Sequence, residues 1–393
     1  MERAATRHLY LHVPFCPTKC SYCAFVTHVG SLKLADRYID AVCREMDRAA
    51  ALRPCGPLDT VYIGGGTPSM LEPAQIERLL RRSRELWGWA ADAEISLEAH
   101  PATVDEARLH GYRAAGVTRL SMGAESMRHG ELAELGRSHG PETVLRVLGA
   151  ARRAGFKSVG VDLMYGLPGQ SVESWRRGLG SLLEARPDHI SLYPLSIEPR
   201  TVFAHRERRG LLTLPPDGDV AAMYDRACRL LRSSGYEHYE IANWSLPGRR
   251  CRHNLAYWHN HEFFAAGVGA HAYLHPHRTV NLSGTRRYIE RIEAGESPVA
   301  ERETLDVPAA LGETVVLGLR LLQEGLDLAD VRDRFGAAAS SAVREAALPL
   351  IARGLLVSRD ERLILPERLG LLGNEVWQRF VGLNVPPAPA QVA

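Results

Sequence analysis

The stretch "FCPTKCSYCAF", from Phe15 to Phe25, places three cysteines within eight positions of a chain of 393 residues that has seven cysteines in all. Three residues separate Cys16 from Cys20, and two separate Cys20 from Cys23, directly after a first predicted strand. A single loop can therefore bring the three sulfurs around one centre. The spacing predicts a metal site, although no fourth cysteine lies nearby.

Two kinds of metal centre fit this loop. A tetrahedral structural zinc site uses four Cys or His ligands, often with a second pair further along the chain, and His28 or a distant thiol could complete one. A 4Fe-4S cluster held by three thiolates leaves one iron open to bind and activate a small molecule. The missing fourth ligand favours the cluster, and zinc with His28 stays the alternative.

The composition narrows the class of protein. Lys and Arg total 48 against 46 Asp and Glu, so the net charge of +2 gives no overall field that would attract nucleic acid or an acidic membrane. No stretch approaches the roughly 18 consecutive apolar residues of a membrane span. The odd and mostly scattered cysteines do not resemble a disulfide framework. We therefore expect a cytoplasmic protein in a reducing compartment.

Short apolar or β-branched runs alternate with helical patterns through the first half of the chain. The predicted strands are Tyr10–Phe15, Thr60–Gly65, Glu94–Ala99, Val117–Gly123, Ser158–Met164 and His189–Leu195. Six strand–helix repeats predict a parallel sheet, because each parallel neighbour needs a crossover connection. We predict an incomplete (β/α)6 barrel of the TIM type, with its site at the carboxyl ends of the strands.

The pattern changes after about residue 200. We predict that the partial barrel spans 1–205 and that a region rich in His, Gly and aromatic residues extends it over 206–300. From 301 to 393 the sequence predicts a mainly helical, winged-helix-like domain with a small β-hairpin. Its proline-rich tail, "NVPPAPAQVA", is expected to be frayed.

Two features at the predicted strand ends suit a small ligand. In "GGGTP" the residues Gly64 to Gly66 allow close approach of backbone to a ligand and offer exposed carbonyls, although a tight turn is the alternative. Glu98 ends the third predicted strand and can accept hydrogen bonds from ribose hydroxyls or an amine. A structural salt bridge is the alternative role for Glu98.

Together with the cysteine loop, the motifs "YLHVPFC", "GGGTPSML", "LGRSH", "VDLMYGLPGQS", "EIANW", "CRHNLAYW" and "GVGAHAY" resemble the radical S-adenosylmethionine (SAM) superfamily, in its HemN/HemW branch. The resemblance covers about residues 8 to 385 and implies a HemN-type C-terminal domain. It also implies that the open iron of the cluster chelates SAM, which is cleaved reductively to a 5′-deoxyadenosyl radical.

The resemblance also implies roles for individual residues of this chain. It implies that the cluster ligands are Cys16, Cys20 and Cys23. We place Arg137 beyond the fourth predicted strand and Asp162 beyond the fifth, and expect Tyr10 and Tyr22 beside the cluster. The SAM-binding residues are expected to be Tyr10, Tyr22, Gly65, Gly66, Thr67, Glu98, Glu125, Arg137 and Asp162.

The same branch contains three functions. HemN-type enzymes decarboxylate coproporphyrinogen III and carry a further cysteine where this chain has Phe25, which disfavours the coproporphyrinogen III dehydrogenase. HemW proteins bind haem and are thought to deliver it to targets, and the resemblance assigns haem contact to an H-N-x-x-Y-W motif, here His253, Asn254, Tyr257 and Trp258. A packed aromatic cluster is the alternative for these four residues. HemN-like methyltransferases and cyclopropanases of natural-product pathways share the architecture.

We favour a haem chaperone, because the H-N-x-x-Y-W motif and the C-terminal module are both present. Its expected partners are haem or a similar porphyrin, an electron donor such as flavodoxin or ferredoxin, and a haem-acceptor protein. Glu125 stands where relatives carry a glutamine that contacts a second SAM, which leaves the number of bound SAM molecules open. A binding protein that no longer cleaves SAM is the alternative without enzymatic activity.

Overall fold

The structure is a computed structural model, and it describes residues 6–30, 32–53 and 55–383. The predicted frayed tail from residue 384 lies outside these ranges. The strands are β1 (His8–Val13), β2 (Phe15–Cys16), β3 (His28–Val29), β4 (Leu58–Gly65), β5 (Trp89–Ala99), β6 (Arg119–Glu125), β7 (Ser158–Tyr165), β8 (His189–Pro194), β9 (Glu237–Glu240), β10 (Asn243–Ser245), β11 (Phe264–Ala266), β12 (His271–Leu274), β13 (His277–Asn281), β14 (Val299–Thr304), β15 (Leu326–Asp327), β16 (Val357–Arg359) and β17 (Arg362–Ile364).

The helices lie mainly between these strands. They are α1 (Ala35–Leu52), α2 (Pro73–Trp87), α3 (Glu106–Ala114), α4 (His129–Leu135), α5 (Pro141–Arg153), α6 (Val172–Glu184), α7 (Val202–Arg208), α8 (Asp217–Ser233), α9 (Arg252–Trp258), α10 (Thr285–Glu293), α11 (Val307–Gly318), α12 (Leu328–Phe335), α13 (Ala337–Ala352) and α14 (Gly373–Trp377). Short 3₁₀ turns occupy Pro68–Met70, Pro101–Thr103 and Glu367–Leu372.

The central sheet has the strand order β11-β1-β4-β5-β6-β7-β8-β10-β9. Its six inner strands, β1 and β4 to β8, run parallel and correspond to the six predicted ones. Within the described residues the sheet stays open, which confirms the predicted incomplete barrel. The sequence did not predict the edges, where β11 adds a parallel strand beside β1 and β10 and β9 add antiparallel strands beside β8.

Each inner strand has one apolar face, which packs against the helices. In β4 this face carries Val61 and Ile63, both fully buried, and α2 covers the sheet with Ile76, Leu79 and Leu80. The opposite face carries polar or small residues, because successive side chains of a strand point to opposite faces.

Some predicted strand ends were wrong. The first strand stops at Val13 instead of Phe15, because Pro14 has no N–H to continue the ladder, and a separate short strand β2 follows. The third begins earlier than predicted, at Trp89, and the fourth runs on to Glu125. Asp162 was expected beyond the fifth strand but lies inside β7, where it pairs with Ser191 of β8.

The C-terminal region has its own apolar core, formed by α11 to α14 and the sheet β15-β17-β16. The strands β16 and β17 form the predicted hairpin. The guanidinium of Arg320 joins this region to the barrel, since it lies 4.4 Å from the ring centre of Trp258 and 5.3 Å from that of Trp377. The domain limits at 205 and 300 stay a prediction. None of the described helices is both long and apolar enough to cross a membrane.

Candidate metal and cofactor site

A cavity of about 330 Å³ lies at the carboxyl ends of the parallel strands, and the cysteine loop covers it. Five consecutive strands contribute to its wall, with Gly65 from β4, Glu98 from β5, Glu125 from β6, Asp162 from β7 and Tyr193 from β8. Parallel α/β sheets place ligand sites at this end because the strand–helix loops converge there. Cys16, Cys20 and Cys23 all line the same cavity.

The thiols are placed by both backbone and side chains. The hydroxyl of Thr67 donates to Cys16 Sγ at 3.5 Å, and the guanidinium of Arg137 donates to Cys20 Sγ at 3.5 Å. Burial raises the pKa values of the Cys16 and Cys23 thiols. Since only thiolates bind metal, a bound cation must offset this cost of burial.

The separation of the thiols distinguishes the two kinds of metal centre. In a tetrahedral zinc site, Zn–S bonds of about 2.3 Å hold the sulfurs about 3.8 Å apart. Among the described residues, at least two of these three sulfurs lie more than 4.8 Å apart. His28, the fourth ligand considered for zinc, lies in β3 with its ring edge-on to Phe15, and it does not line the cavity. As they stand, the three thiols and His28 do not make up a four-ligand zinc site.

Glycines let the "GGGTP" turn pack directly against the cysteine loop. A Cβ atom at Gly66 would lie 2.7 Å from the Pro14 carbonyl oxygen and 3.0 Å from Cys16 Sγ. Gly65 has φ +115°, and a Cβ there would lie 2.6 Å from the ring of His12. Neither position can accept a side chain without moving the loop.

Two carboxyl groups lie deep in the cavity. Glu98 accepts hydrogen bonds from the Tyr62 hydroxyl at 2.8 Å and from the Gly65 N–H at 2.9 Å. Burial raises the pKa of Glu98 to about 7, and burial also raises the pKa of Asp162 to about 6. At neutral pH both groups can therefore change their protonation when a ligand with hydroxyl or amino groups binds.

Glu125 ends β6 with φ +62°, a backbone conformation that is uncommon for a residue with a side chain. Its carboxylate lies 3.4 Å from the guanidinium of Arg137, and both side chains are nearly buried. Arg137 also donates to the Gly123 carbonyl. Burial, followed by the charge of Glu125, raises the pKa of Tyr22 well above its usual value. These contacts hold Tyr22, Glu125 and Arg137 as one cluster beside Cys20.

The structure places Tyr10 away from this cavity. Its ring stacks on Tyr62 at 6.2 Å, and its hydroxyl lies 3.2 Å from His12 Nδ1. Tyr10 lines a second, larger cavity of about 990 Å³ between the cysteine loop, the sheet β12–β13 and helix α11. Phe25 lines both cavities. The two cavities are therefore neighbours that share one aromatic side chain.

The H-N-x-x-Y-W motif divides between the second cavity and the protein core. Tyr257 and Trp258 line the cavity, whereas His253 and Asn254 line neither cavity. His253 is buried, with Nδ1 2.7 Å from the Thr60 hydroxyl and Nε2 2.8 Å from the Tyr257 hydroxyl. Burial lowers the pKa of His253 to about 3, so the imidazole is neutral at physiological pH.

Some residues in or next to the two cavities escaped sequence reasoning. Tyr62 lines neither cavity but donates a hydrogen bond to Glu98, and an aromatic residue in a strand carries no signal of such a role. His271 belongs to the quoted motif "GVGAHAY" and lines the second cavity. The α11 residues of that cavity had no sequence signal, since all but Glu313 are small or apolar residues of an ordinary helix.

With this geometry established, comparisons identify the family. The model of the "Radical SAM superfamily" matches residues 10–179, and that of the "HemN C-terminal domain" matches residues 305–372. A protein named "Heme chaperone HemW" from Mycobacterium tuberculosis is 39% identical, and the match covers 95% of this chain and 94% of the relative. The protein of the same name from Bacillus subtilis is 32% identical, and the match covers 95% of this chain and 98% of the relative. The chain belongs to the HemW family.

A solved structure of coproporphyrinogen III oxidase (HemN) from Escherichia coli, described as a radical SAM enzyme, is similar with a TM-score of 0.83. It is 25% identical, and the match covers 96% of this chain and 90% of that one. Radical SAM and HemW membership, together with the HemN-like fold, confirm the resemblance inferred from the motifs. Phe25, which separates HemW from HemN in the sequence interpretation, is the residue shared by the two cavities.

Proposed function

We propose that the protein carries haem in the second cavity and holds a 4Fe-4S cluster with SAM in the first. One observation carries the proposal: an apolar cavity of about 990 Å³ adjoins the cavity of the three cysteines and shares Phe25 with it. Its volume lies at the upper end of the roughly 300–1,000 Å³ that ligand pockets occupy. The family relationship favours haem as the ligand of this cavity.

The first cavity supports the cluster and SAM. Cys16, Cys20 and Cys23 would hold the cluster, and a bound cluster would supply an open iron and an electron for cleaving SAM. Glu98 and Asp162 are placed to accept hydrogen bonds from hydroxyl or amino groups, and Arg137 and Glu125 add one charge of each sign. The remaining proposed SAM contacts are Tyr22, Gly65, Gly66 and Thr67, which all line this cavity.

The second cavity supports haem in size and chemistry. Phe25, Tyr257, Trp258 and Phe263 give it aromatic walls, which suit a flat macrocycle. The proposed partners are an electron donor of the flavodoxin or ferredoxin type and an acceptor protein for haem, in the cytoplasm. In this proposal, SAM and the cluster serve haem transfer, and the cavity keeps the porphyrin from water until the acceptor binds.

The test uses full-length protein reconstituted anaerobically with iron and sulfide. We expect saturable binding of one haem per chain by absorbance titration, and transfer of that haem to an apo-haemoprotein when SAM and reductant are added. In parallel samples, mass analysis of all products detects whether SAM or coproporphyrinogen III is converted. The proposed haem-carrier function is wrong if the protein binds no haem saturably and transfers a labelled methyl group from SAM to an aromatic or polyketide acceptor. The protein would then be a methyltransferase.

A further inference from the structure

We propose that His271 is the axial ligand of the haem iron and that Arg278 binds a porphyrin carboxylate at the cavity wall. This inference rests on the proposed function, because it assigns residues to the haem-binding cavity. It gives His253 of the H-N-x-x-Y-W motif a different role, as a residue that positions Tyr257.

His253 has no nitrogen available for iron in this arrangement. Both ring nitrogens are engaged, one with Thr60 and one with Tyr257, and the ring stacks on Tyr62 at 5.1 Å. Only 1% of the residue is exposed. Iron coordination by His253 would require breaking its buried hydrogen bond to Thr60 or to Tyr257.

The other cavity residues with suitable chemistry are also unavailable, with one exception. Haem proteins use His, Cys, Met or Tyr as axial ligands. His12 is buried, with its two ring nitrogens each 3.2 Å from Tyr10 or the Val26 carbonyl. Burial raises the pKa of both Tyr10 and Tyr257, so neither is a phenolate at neutral pH. None of the described residues that line this cavity is a cysteine or a methionine.

His271 is the exception. It is exposed at the start of β12 and lines the cavity. Among the described residues, no hydrogen bond reaches either of its ring nitrogens. An exposed imidazole without a hydrogen-bond partner can donate a lone pair to iron without losing another contact.

Arg278 lies on the same face of the sheet as His271. In the antiparallel pair β12–β13, Tyr273 lies opposite Arg278 and His271 opposite Val280. Opposed residues share a face, and residues two apart on a strand also share it, so His271 and Arg278 are diagonal neighbours with side chains roughly 7–8 Å apart. One macrocycle on this face could therefore reach both residues.

The guanidinium of Arg278 is fixed but not fully used. It lies 4.4 Å from the ring centre of Tyr273, and its Nε and Nη2 atoms bind Glu313 of α11. Nη1 makes no hydrogen bond with any described residue. Arg278 thus offers one further donor to a carboxylate, while Glu313 and Tyr273 hold it in place.

The experiment compares haem with iron-free protoporphyrin IX, because the two differ only in the metal. Absorbance titrations use the full-length wild-type protein and the variants His271→Ala, His253→Ala, Arg278→Gln and His277→Ala. His277 is a matched control, since it lies on the opposite face of the same sheet. We expect His271→Ala to weaken haem binding at least about tenfold and shift the Soret band, with protoporphyrin IX affinity unchanged.

Three further results are expected. Imidazole added to the buffer should restore the wild-type Soret position in His271→Ala, which a purely structural role would not allow. Arg278→Gln should weaken both porphyrins, and His277→Ala neither. His253→Ala should keep the Soret position even if it lowers thermal stability.

The failures are distinguishable. If wild-type protein binds neither porphyrin saturably, the proposed function falls together with this inference. If wild-type protein binds haem, His271→Ala leaves the Soret band unchanged and His253→Ala abolishes it, the carrier function stands and the assignment of His271 is wrong.

Discussion

The carboxylate of Glu125 and the guanidinium of Arg137 lie 3.4 Å apart in an almost buried pair beside the cysteine loop. Arg137 donates one hydrogen bond to the Gly123 carbonyl in β6 and another to Cys20 Sγ. A carboxylate at position 125 therefore balances a positive charge that also contacts a proposed cluster ligand. The chemistry of the cluster and the identity of residue 125 are linked through Arg137.

Replacing Glu125 by Gln preserves the size of the side chain and removes its charge. We expect SAM affinity, SAM stoichiometry or the rate of SAM cleavage to change by about tenfold, since hydrogen bonds to charged groups contribute about 1.5–3 kcal/mol. Equilibrium binding and the yield of 5′-deoxyadenosine measure this change. Glu142→Gln, at an exposed position, is the control. Identical binding and cleavage in both variants would remove Glu125 from the site.

Replacing any one of Cys16, Cys20 or Cys23 by Ala should abolish the iron–sulfur cluster, because no other thiol of the described residues lines the cavity. Iron and sulfide analysis and the paramagnetic signal of the reduced protein measure its loss. The control is Cys43→Ala in α1, which should keep full cluster content. Wild-type protein that binds zinc but neither iron nor sulfide would contradict the cluster assignment.

The contribution of Glu98 to the stability of the metal-free protein should fall as pH rises from about 4.5 to about 7, whereas buried histidines with lowered pKa values, such as His253, make a contribution that rises. Burial raises the pKa of Glu98 from 4.5 to about 7, so in this window the folded protein retains a proton that the unfolded chain has released. Glu98→Gln should remove about 1–3 kcal/mol of this loss, since one pKa unit corresponds to about 1.4 kcal/mol. Burial gives Glu45 a pKa of about 7 too, so its contribution falls over the same range in wild type and in the variant.

Thermal midpoints at pH 5 and pH 7.5 measure this effect. The exposed Glu77→Gln should behave as wild type. An equal change of thermal midpoint between the two pH values in wild type and Glu98→Gln would mean that Glu98 is ionised in the folded protein throughout this range.

Arg320 should stabilise the contact between the C-terminal region and the barrel. Its guanidinium lies between Trp258 and Trp377 and 3.8 Å from Glu240, whose side chain is fully buried. Arg320→Ala leaves that carboxylate without its counter-charge, and we expect a loss of about 3–5 kcal/mol in the free energy of unfolding. Denaturant titration measures it. The double variant Arg320→Ala, Glu240→Gln should recover part of the loss, and a double variant no more stable than Arg320→Ala would argue against the charge pairing.

The sequence predicted the six inner strands because each is a short run rich in apolar or β-branched residues that a helical pattern follows. It did not predict β11, whose three residues, Phe264–Ala266, contain no β-branched side chain and depend on β1 for pairing. The position of Asp162 was wrong because a polar residue inside an apolar strand was taken to lie after its end. Alternation along β7 instead directs this side chain into the cavity.

The first cavity was more predictable than the second. Its cysteines lie on one loop, and its carboxylates follow from the rule that parallel strands present ligands at their carboxyl ends. The walls of the second cavity come from the loop at Phe25, the sheet at His271 and the helix at Gly312. No local pattern indicates that such distant segments meet. The engagement of both His253 nitrogens likewise depends on Thr60, far away in the sequence.

The position of α11 in the second cavity has a consequence for the order of synthesis. Ala309, Gly312 and Glu313 belong to that wall, whereas the cysteine loop ends near residue 25 and the strands of the first cavity end with β8 at Pro194. A chain emerging from the ribosome has therefore completed the wall of the metal cavity more than a hundred residues before α11 appears. Under the proposed function, the residues that would hold the cluster are synthesised first, and a chain cut short before α11 lacks part of the wall proposed for haem.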